Sequence, residues 1–306
     1  MSNPSRFEPD GLTWYESSAR QRIDALVDPG SFVEFIGPEQ RETSPHLVSF
    51  DLPEQFDDGM VVGRAALDGR SLLLAAQEGR FMGGSVGEVH GAKLTGLLRG
   101  ALRSRCDVLI LFDTGGVRLQ EANAGELAVA EIMRAVIDVR LAGVRVIALI
   151  GGRAGCYGGG ALIAGCCSSV LISEQGRIGV SGPQVIETNK GVEEFDSQDR
   201  ALIWRTMGGK HRYLTGGADL FVDDHPAAFR DAVRVALESP SGLDLDVLDA
   251  EQSRLERRLA RYGDAEDALG IWAKLGINDP KAVPELPTSN FLRDVAVHRE
   301  TADGAR

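Results

Sequence analysis

Runs of glycine stand where apolar, strand-like segments meet helix-like segments in this chain. The sequence VRVIALI at residues 144–150 is followed by GGRAGCYGGG at residues 151–160 and then by the apolar run ALIAGCC. Glycine interrupts regular structure, but it also permits unusual backbone angles and lets another molecule touch the main chain. This order predicts a strand, a tight turn and a buried helix.

The same rhythm recurs along the sequence. Glycine pairs at residues 83–84 and 115–116 precede further helix-like segments. The strands predicted at residues 107–112 and 144–150 are continuously apolar, as in a parallel sheet that is covered on both faces. Residues 60–77 carry a hairpin signal around Asp-Gly. Helices are predicted at residues 16–27, 86–104, 119–141 and 160–167. Together these elements predict an α/β fold of stacked β-β-α units.

Three segments follow from this pattern. Residues 1–58 are expected to form an N-terminal helix and an irregular arm, and residues 59–240 the α/β core. Residues 241–306 are expected to form a helical extension and a tail. Residues 280–306 are weakly patterned, which favours an extended tail or a partner-binding arm.

Composition excludes several classes of function. The 306-residue chain is 43% hydrophobic and carries a net charge of −12, which disfavours a nucleic-acid partner because phosphate binding needs a basic face. No apolar run approaches the roughly 18 residues of a membrane span, and the first residues lack a signal-peptide pattern. The four cysteines, at 106, 156, 166 and 167, contain no C-x-x-C pair of a zinc ribbon. We therefore expect a cytoplasmic protein with reduced thiols.

The sequence lacks the usual side-chain motifs of catalysis. The glycine runs match neither the dinucleotide-binding fingerprint nor the P-loop, and the five histidines are dispersed. Free N–H groups at helix starts can nevertheless bind an anion. The turns at residues 113–117 and 155–160 are therefore interpreted as an oxyanion hole built from backbone amides. Close packing of helix on strand is the alternative at each turn taken alone.

Five sequence motifs follow one another between residues 19 and 187: ARQRIDALVDPGSFVEF, FMGGSVGEVHGAK, DTGGVRLQEA, CYGGGA and IGVSGPQVIE. Together they resemble the carboxyltransferase domain of acyl-CoA carboxylases and transcarboxylases, over about residues 16–225. The resemblance implies a crotonase-like spiral with a single carboxyltransferase-type domain. Within that group, FDTGGVRLQEANAGE and GRAGCYGGGALIAG are similar to the β subunits of biotin-independent malonate decarboxylases.

The resemblance implies a role for each glycine turn. Amides of two turns would hold the thioester carbonyl, and then the enolate that forms when CO₂ leaves. The implied catalytic residues are Gly116, Val117, Gly158 and Gly159. The residues implied to bind the thioester arm are Gly83, Gly84, Ser85, Arg118, Tyr157 and Gln184. A structural salt bridge is the alternative for Arg118.

Partners and cofactors are also implied by the resemblance. The substrate would be a malonyl thioester on an acyl carrier protein whose prosthetic arm derives from dephospho-CoA, and neither a metal nor biotin would be needed. A crotonase-like γ subunit would supply the other half of the active site. An acyl-carrier transferase subunit would complete the complex.

Three other functions remain open at this point. The first is the carboxyltransferase subunit of a biotin-dependent acyl-CoA carboxylase, although the zinc ribbon of the bacterial acetyl-CoA carboxylase β subunit is absent. The second is a non-catalytic crotonase-like scaffold. The third is a hydratase or isomerase, which would need a glutamate after a glycine turn, and Glu121 and Glu126 are the nearby candidates.

Overall fold

The computed structural model describes residue 11 and residues 13–300. The strands are β1 (Val33–Glu34), β2 (Met60–Leu67), β3 (Arg70–Gln77), β4 (Val108–Phe112), β5 (Val146–Ile150), β6 (Cys156–Tyr157), β7 (Ser169–Ser173), β8 (Ile178–Gly179) and β9 (Leu220–Val222). The α-helices are α1 (Ala19–Leu26), α2 (Pro45–Ser49), α3 (Glu88–Ser104), α4 (Asn123–Leu141), α5 (Gly159–Cys166), α6 (Pro183–Lys190), α7 (Arg200–Met207), α8 (Gly209–Leu214), α9 (Pro226–Ala236), α10 (Leu245–Tyr262), α11 (Ala268–Lys274) and α12 (Thr288–Asn290).

Within the described residues, seven strands form one sheet in the order β1-β2-β3-β4-β5-β7-β9, and β6 pairs with β8 in a small second sheet. The hairpin of β2 and β3 is antiparallel, whereas β3, β4, β5, β7 and β9 run parallel. This arrangement confirms the predicted hairpin and the predicted parallel core.

Both faces of the large sheet are covered, because alternate side chains of each strand point to opposite faces. Ile110 and Ala148 pack with α3, α4 and α11 in one apolar cluster. Leu109 and Ile147 pack with α1 and α9 in another. The predicted α/β architecture, with a sheet covered on both faces, is confirmed. No helix in the described ranges has the length and apolarity that a membrane crossing requires.

The parallel strands direct their following turns to one edge of the sheet. β3, β4 and β5 all end at this edge, and the chain continues from them into the three glycine-rich segments. The carboxyl ends of parallel strands are the usual place for a ligand site in α/β proteins. Parallel pairing therefore brings together glycines that lie about 30 to 75 positions apart in the sequence.

One expectation about the second half of the chain is wrong, and one strand there was not predicted. Helices occupy most of residues 183–274, and β9 adds a strand to the sheet edge. Residues 280–300 are not extended: Val283 and Phe291 are fully buried in the same apolar cluster as Trp272. The Lys210 ammonium also donates to the carbonyl oxygens of Pro284 and Leu286, at 2.8 and 2.7 Å. Residues 301–306 lie outside the described residues.

Candidate active site

Three glycine turns meet at the carboxyl edge of the sheet through backbone hydrogen bonds. The Gly115 N–H donates to the Gly83 carbonyl at 2.8 Å, which joins the turn at residues 83–84 to the turn at residues 113–117, the first of the two predicted oxyanion turns. The Thr114 N–H donates to the Gly155 carbonyl at 2.8 Å, and the Tyr157 N–H donates to the Thr114 carbonyl at 2.9 Å. The turns therefore form one hydrogen-bonded surface.

Gly116 and Gly158 are the point of closest approach. A Cβ atom added to Gly158 would lie 3.2 Å from the Gly116 Cα, and one added to Gly116 would lie 3.7 Å from the Gly158 Cα. The first distance is tighter than ordinary van der Waals contact. These two glycines are thus needed because the backbones of the turns touch.

Two of the four predicted oxyanion amides are already engaged. The Gly116 N–H donates to the Thr114 hydroxyl at 3.1 Å, and the Gly158 N–H donates to the Gly179 carbonyl at 3.0 Å. These bonds fix the turns internally. They leave Val117 and Gly159 as the candidate donors to a ligand.

The Val117 amide has no acceptor among the described residues. The carbonyl of the same peptide unit, that of Gly116, accepts from the Val86 N–H at 2.8 Å. A trans peptide directs its N–H opposite to its C=O. Because Val86 holds the carbonyl, the Val117 N–H points away from Val86 and is free to donate.

The Gly159 amide is free for a different reason. Gly159 begins α5, and the first N–H groups of a helix have no partner within the helix. The Gly158 carbonyl accepts from Ala161 and Leu162 at 3.1 and 3.3 Å, so it already faces along the helix. The positive end of the helix dipole adds to the attraction for an anion. Together, Val117 and Gly159 offer one donor from each turn.

Arg118 lies at the end of the first turn. Its guanidinium is fully buried and pairs with Asp58 and Glu121, at 2.9 and 2.7 Å. It also donates to the Ser85 carbonyl at 3.3 Å. This is the geometry of the structural salt bridge, the alternative to a contact with the thioester arm.

Asp113 clamps the two main turns from the other side. Its carboxylate accepts from the Arg22 guanidinium at 2.8 Å and from the Ala154 N–H at 2.6 Å. Burial raises the pKa of Asp113, and the charge of Arg22 opposes that effect. The clamp joins α1 to the first residues of both turns.

The other predicted arm residues are spread over the site. Gly83 is exposed at the turn, Gly84 is buried against the Asp113 carbonyl, and the Ser85 hydroxyl donates to the Met82 carbonyl at 2.7 Å. The Tyr157 ring is buried against Ile203 and Met207. Gln184 is exposed on α6. Gly83 is therefore the member of this set that lies both open to solvent and hydrogen-bonded to the first turn.

Glu121 and Glu126 are the two glutamates that a hydratase or isomerase could use. Glu121 is buried against Arg118 and accepts from the Glu88 N–H at 2.5 Å. Glu126 is exposed on α4. A glutamate pinned in a buried ion pair is poorly placed for the acid–base step of a hydratase.

A model of the carboxyl transferase domain matches residues 16–241. The chain belongs to the carboxyl transferase domain family. The match covers the three turns and both faces of the sheet. It makes the chain an enzyme of the carboxyltransferase type.

Individual relatives in this family agree with the sequence resemblance. The chain is 36% identical over 301 residues to a malonyl-S-ACP:biotin-protein carboxyltransferase, MADC, of Malonomonas rubra, which covers 92% of this chain and 94% of that protein. It is 41% identical, with a TM-score of 0.78, to a chain of a Pseudomonas malonate decarboxylase hetero-tetramer in complex with malonate, over 85% of this chain and 96% of that chain. A chain of the Pseudomonas MdcD-MdcE hetero-dimer matches at 37% identity and a TM-score of 0.67, over 85% of this chain and all of that chain.

The sequence did not reveal the buried residues that hold the turns. Asp58 and Arg118 are 60 positions apart, and Arg22 and Asp113 are 91 apart. No local spacing signals such pairs. An acidic residue at the end of an apolar strand, as at Asp113, is the only hint that the sequence contains.

Proposed function

We propose that this chain is a malonate decarboxylase subunit that acts on a malonyl thioester carried by an acyl carrier protein. The observation that carries the proposal is the pair of unengaged amides, Val117 and Gly159, on two turns in contact. The relatives named above supply the substrate class.

The chemistry follows from where charge develops. When the bond between the carboxylate and C2 breaks, CO₂ leaves and the electron pair of that bond stays with C2. This pair forms an enolate with negative charge on the thioester oxygen. Donors fixed at that oxygen stabilise the transition state more than the neutral carbonyl of the ground state. A proton added to C2 then gives the acetyl thioester.

A second subunit would complete the cleft. Several apolar side chains near the turns are exposed, among them Leu119 at 84% and Val180 at 67%, with Leu127 and Leu162 on the adjoining helices. Exposed apolar groups of this kind mark protein interaction surfaces. The two Pseudomonas relatives are chains of a malonate decarboxylase hetero-tetramer and of an MdcD-MdcE hetero-dimer. We assign this surface to a crotonase-like γ subunit, and expect carrier-protein and transferase subunits in the same complex.

The thioester arm is expected to enter past Gly83. No metal is assigned a role, and the described residues contain no cluster of three or more His, Cys, Asp or Glu side chains that could hold one. The arm would be CoA-like, as expected for a dephospho-CoA derivative.

A biotin carboxyltransferase is the second candidate. The name of the Malonomonas relative includes transfer to a biotin protein, and the same enolate would form if CO₂ passed to biotin. We favour direct decarboxylation because the Pseudomonas enzyme matches with higher identity.

The test uses the complex purified from its native host. It should convert malonyl thioester to acetyl thioester and CO₂ without biotin, and avidin should leave the rate unchanged. The isolated chain should be inactive. Inhibition by avidin would move the assignment to the biotin-dependent reaction. If the complex turns over malonyl thioesters neither by release of CO₂ nor by transfer of CO₂ to biotin, the proposed function is refuted.

A further inference from the structure

A chain of buried polar groups connects the two ends of the first glycine turn. The turn occupies residues 113–118, and Val117 lies within it. Asp113 and Arg118, its first and last residues, both hydrogen-bond to this chain of groups. The linking side chains are Gln77 and His90, which are 1% and 0% exposed, and the Asp58 carboxylate.

Gln77 holds the start of the turn. It is the last residue of β3, and its Oε1 accepts from the Asp113 N–H at 3.0 Å. Since Oε1 must face that donor, the Nε2 group of the same amide faces His90 at 3.1 Å. The amide therefore has one fixed orientation.

This orientation fixes the tautomer of His90. The Gln77 Nε2 group can only donate, so the His90 Nε2 must accept and carries no proton. The proton then lies on Nδ1, which faces the Asp58 carbonyl at 3.4 Å. Burial first, and the charge of Arg118 second, lower the pKa of His90 to about 3, which keeps the ring neutral.

Asp58 holds the end of the turn. Its carboxylate accepts from the backbone N–H of His90 at 3.0 Å and from the Arg118 guanidinium at 2.9 Å. The series Asp113, Gln77, His90, Asp58 and Arg118 thus connects the two ends of the turn through buried side chains. The interior is close-packed, so a displacement at one end is transmitted to the other.

We propose that Gln77 is a positioning residue for catalysis: through His90 and the Asp113 amide it holds in place the turn on which Val86 directs the Val117 N–H. The proposal rests on the proposed function for its kinetic part only. Gln77 and His90 are 1% and 0% exposed, so we assign neither a contact with the reacting atoms.

The first measurement uses the unaltered chain. The ¹⁵N shifts of the His90 imidazole should show the neutral ring with its proton on Nδ1 between pH 5 and 8. A proton on Nε2, or a charged ring in that range, would overturn the proposal whether or not any variant folds.

The second measurement compares two variants of β3. Gln77→Met keeps the volume but removes both hydrogen bonds, and Leu74→Met is the matched change in the same strand outside the polar chain. Gln77→Met should shift the amide resonances of Gly116 and Val117 in the isolated chain, and Leu74→Met should not. Equal shifts in both variants, or none in either, would contradict the positioning role.

The third measurement is kinetic and uses the assembled complex. Gln77→Met should lower kcat by about tenfold to hundredfold with KM nearly unchanged, since small misplacements of a catalytic group have effects of this size. Leu74→Met should retain kcat. An equal kcat for both variants would overturn the proposal. If the unaltered complex fails to decarboxylate malonyl thioesters, the proposed function fails, while the resonance shifts still decide the role of Gln77.

Discussion

At the residue scale, the free amides matter because neighbouring groups already hold the rest of each peptide. Val86 fixes the carbonyl of the Gly116–Val117 peptide, and the first turn of α5 fixes that of Gly158–Gly159. Gly159 is a poor position for a test, because a Cβ atom there would overlap the Val129 side chain of α4. Val117 already carries a side chain, so it can be substituted without adding a Cβ atom and is the better position for the test.

Removing Arg118 should destabilise the fold strongly. Arg118→Met leaves the Asp58 and Glu121 carboxylates buried without their cation, and breaking a buried pair in this way costs about 3–5 kcal/mol. Arg134→Met removes an exposed pair with Glu131 and should cost about 0–1 kcal/mol. Denaturant unfolding measures both. Similar losses for the two variants would mean that the buried triad contributes little.

Asp224 should make stability depend on pH. Burial raises the pKa of Asp224 to about 6, against about 3.9 in an unfolded chain. The folded state therefore binds the proton more tightly, so this group contributes its stability below about pH 4 and loses it as the pH rises through about 6. The stability of Asp224→Asn relative to the original chain should therefore increase progressively between pH 4 and 7, because asparagine does not titrate. Parallel stability curves for the two proteins would contradict the raised pKa.

At the scale of elements, the recurring strands, glycine turns and helices could be predicted from the sequence, whereas the shortest strand of the large sheet's parallel part could not. Apolar strands, glycine turns and helices were placed correctly because each has a local period or a strong breaker. β9 was missed because its three residues are too few to show alternation. The free amides could be predicted to lie in the two turns. Which two are free could not, because this depends on Val86 and Gly179 from other elements.

The adjacent glycines of the turn before α3 should differ in tolerance. Both have positive φ, but a Cβ on Gly83 meets nothing within 4 Å, whereas one on Gly84 overlaps the Asp113 carbonyl oxygen. Gly83→Ala should cost about 1–2 kcal/mol from backbone strain alone. Gly84→Ala should cost clearly more, because the turn at residues 83–84 must move away from the turn at residues 113–118. Thermal melts compare them, and an equal loss would show that the contact with Asp113 can relax.

At the scale of the whole molecule, one core joins the carboxyltransferase segment to the C-terminal segment. Val283, Phe291 and Val295 pack in the same cluster as Ile110 of β4. Their spacing follows neither a helix nor a strand period, because the chain passes there through short 3-10 and π turns. The sequence alone could therefore not predict that this segment is folded.

Phe291 should contribute to global stability. Phe291→Ala empties a fully buried site and should cost about 3–5 kcal/mol. Leu292→Ala, at a neighbouring position that is 39% exposed, should cost much less. Both are measured by denaturant unfolding of residues 1–306. An undisturbed midpoint for Phe291→Ala would mean that the segment is not part of the cooperative core.

The most direct test of the backbone oxyanion site is the turnover of two Val117 variants in the assembled complex. Val117→Ala keeps the N–H and should retain activity within about tenfold, whereas Val117→Pro removes it. Loss of one oxyanion donor typically lowers kcat by about 10²–10³, and this is the loss expected for Val117→Pro when circular dichroism and complex assembly are normal. If assembled Ala and Pro variants turn over malonyl thioester at the same rate, the Val117 amide does not hold the enolate oxygen and the central claim is wrong.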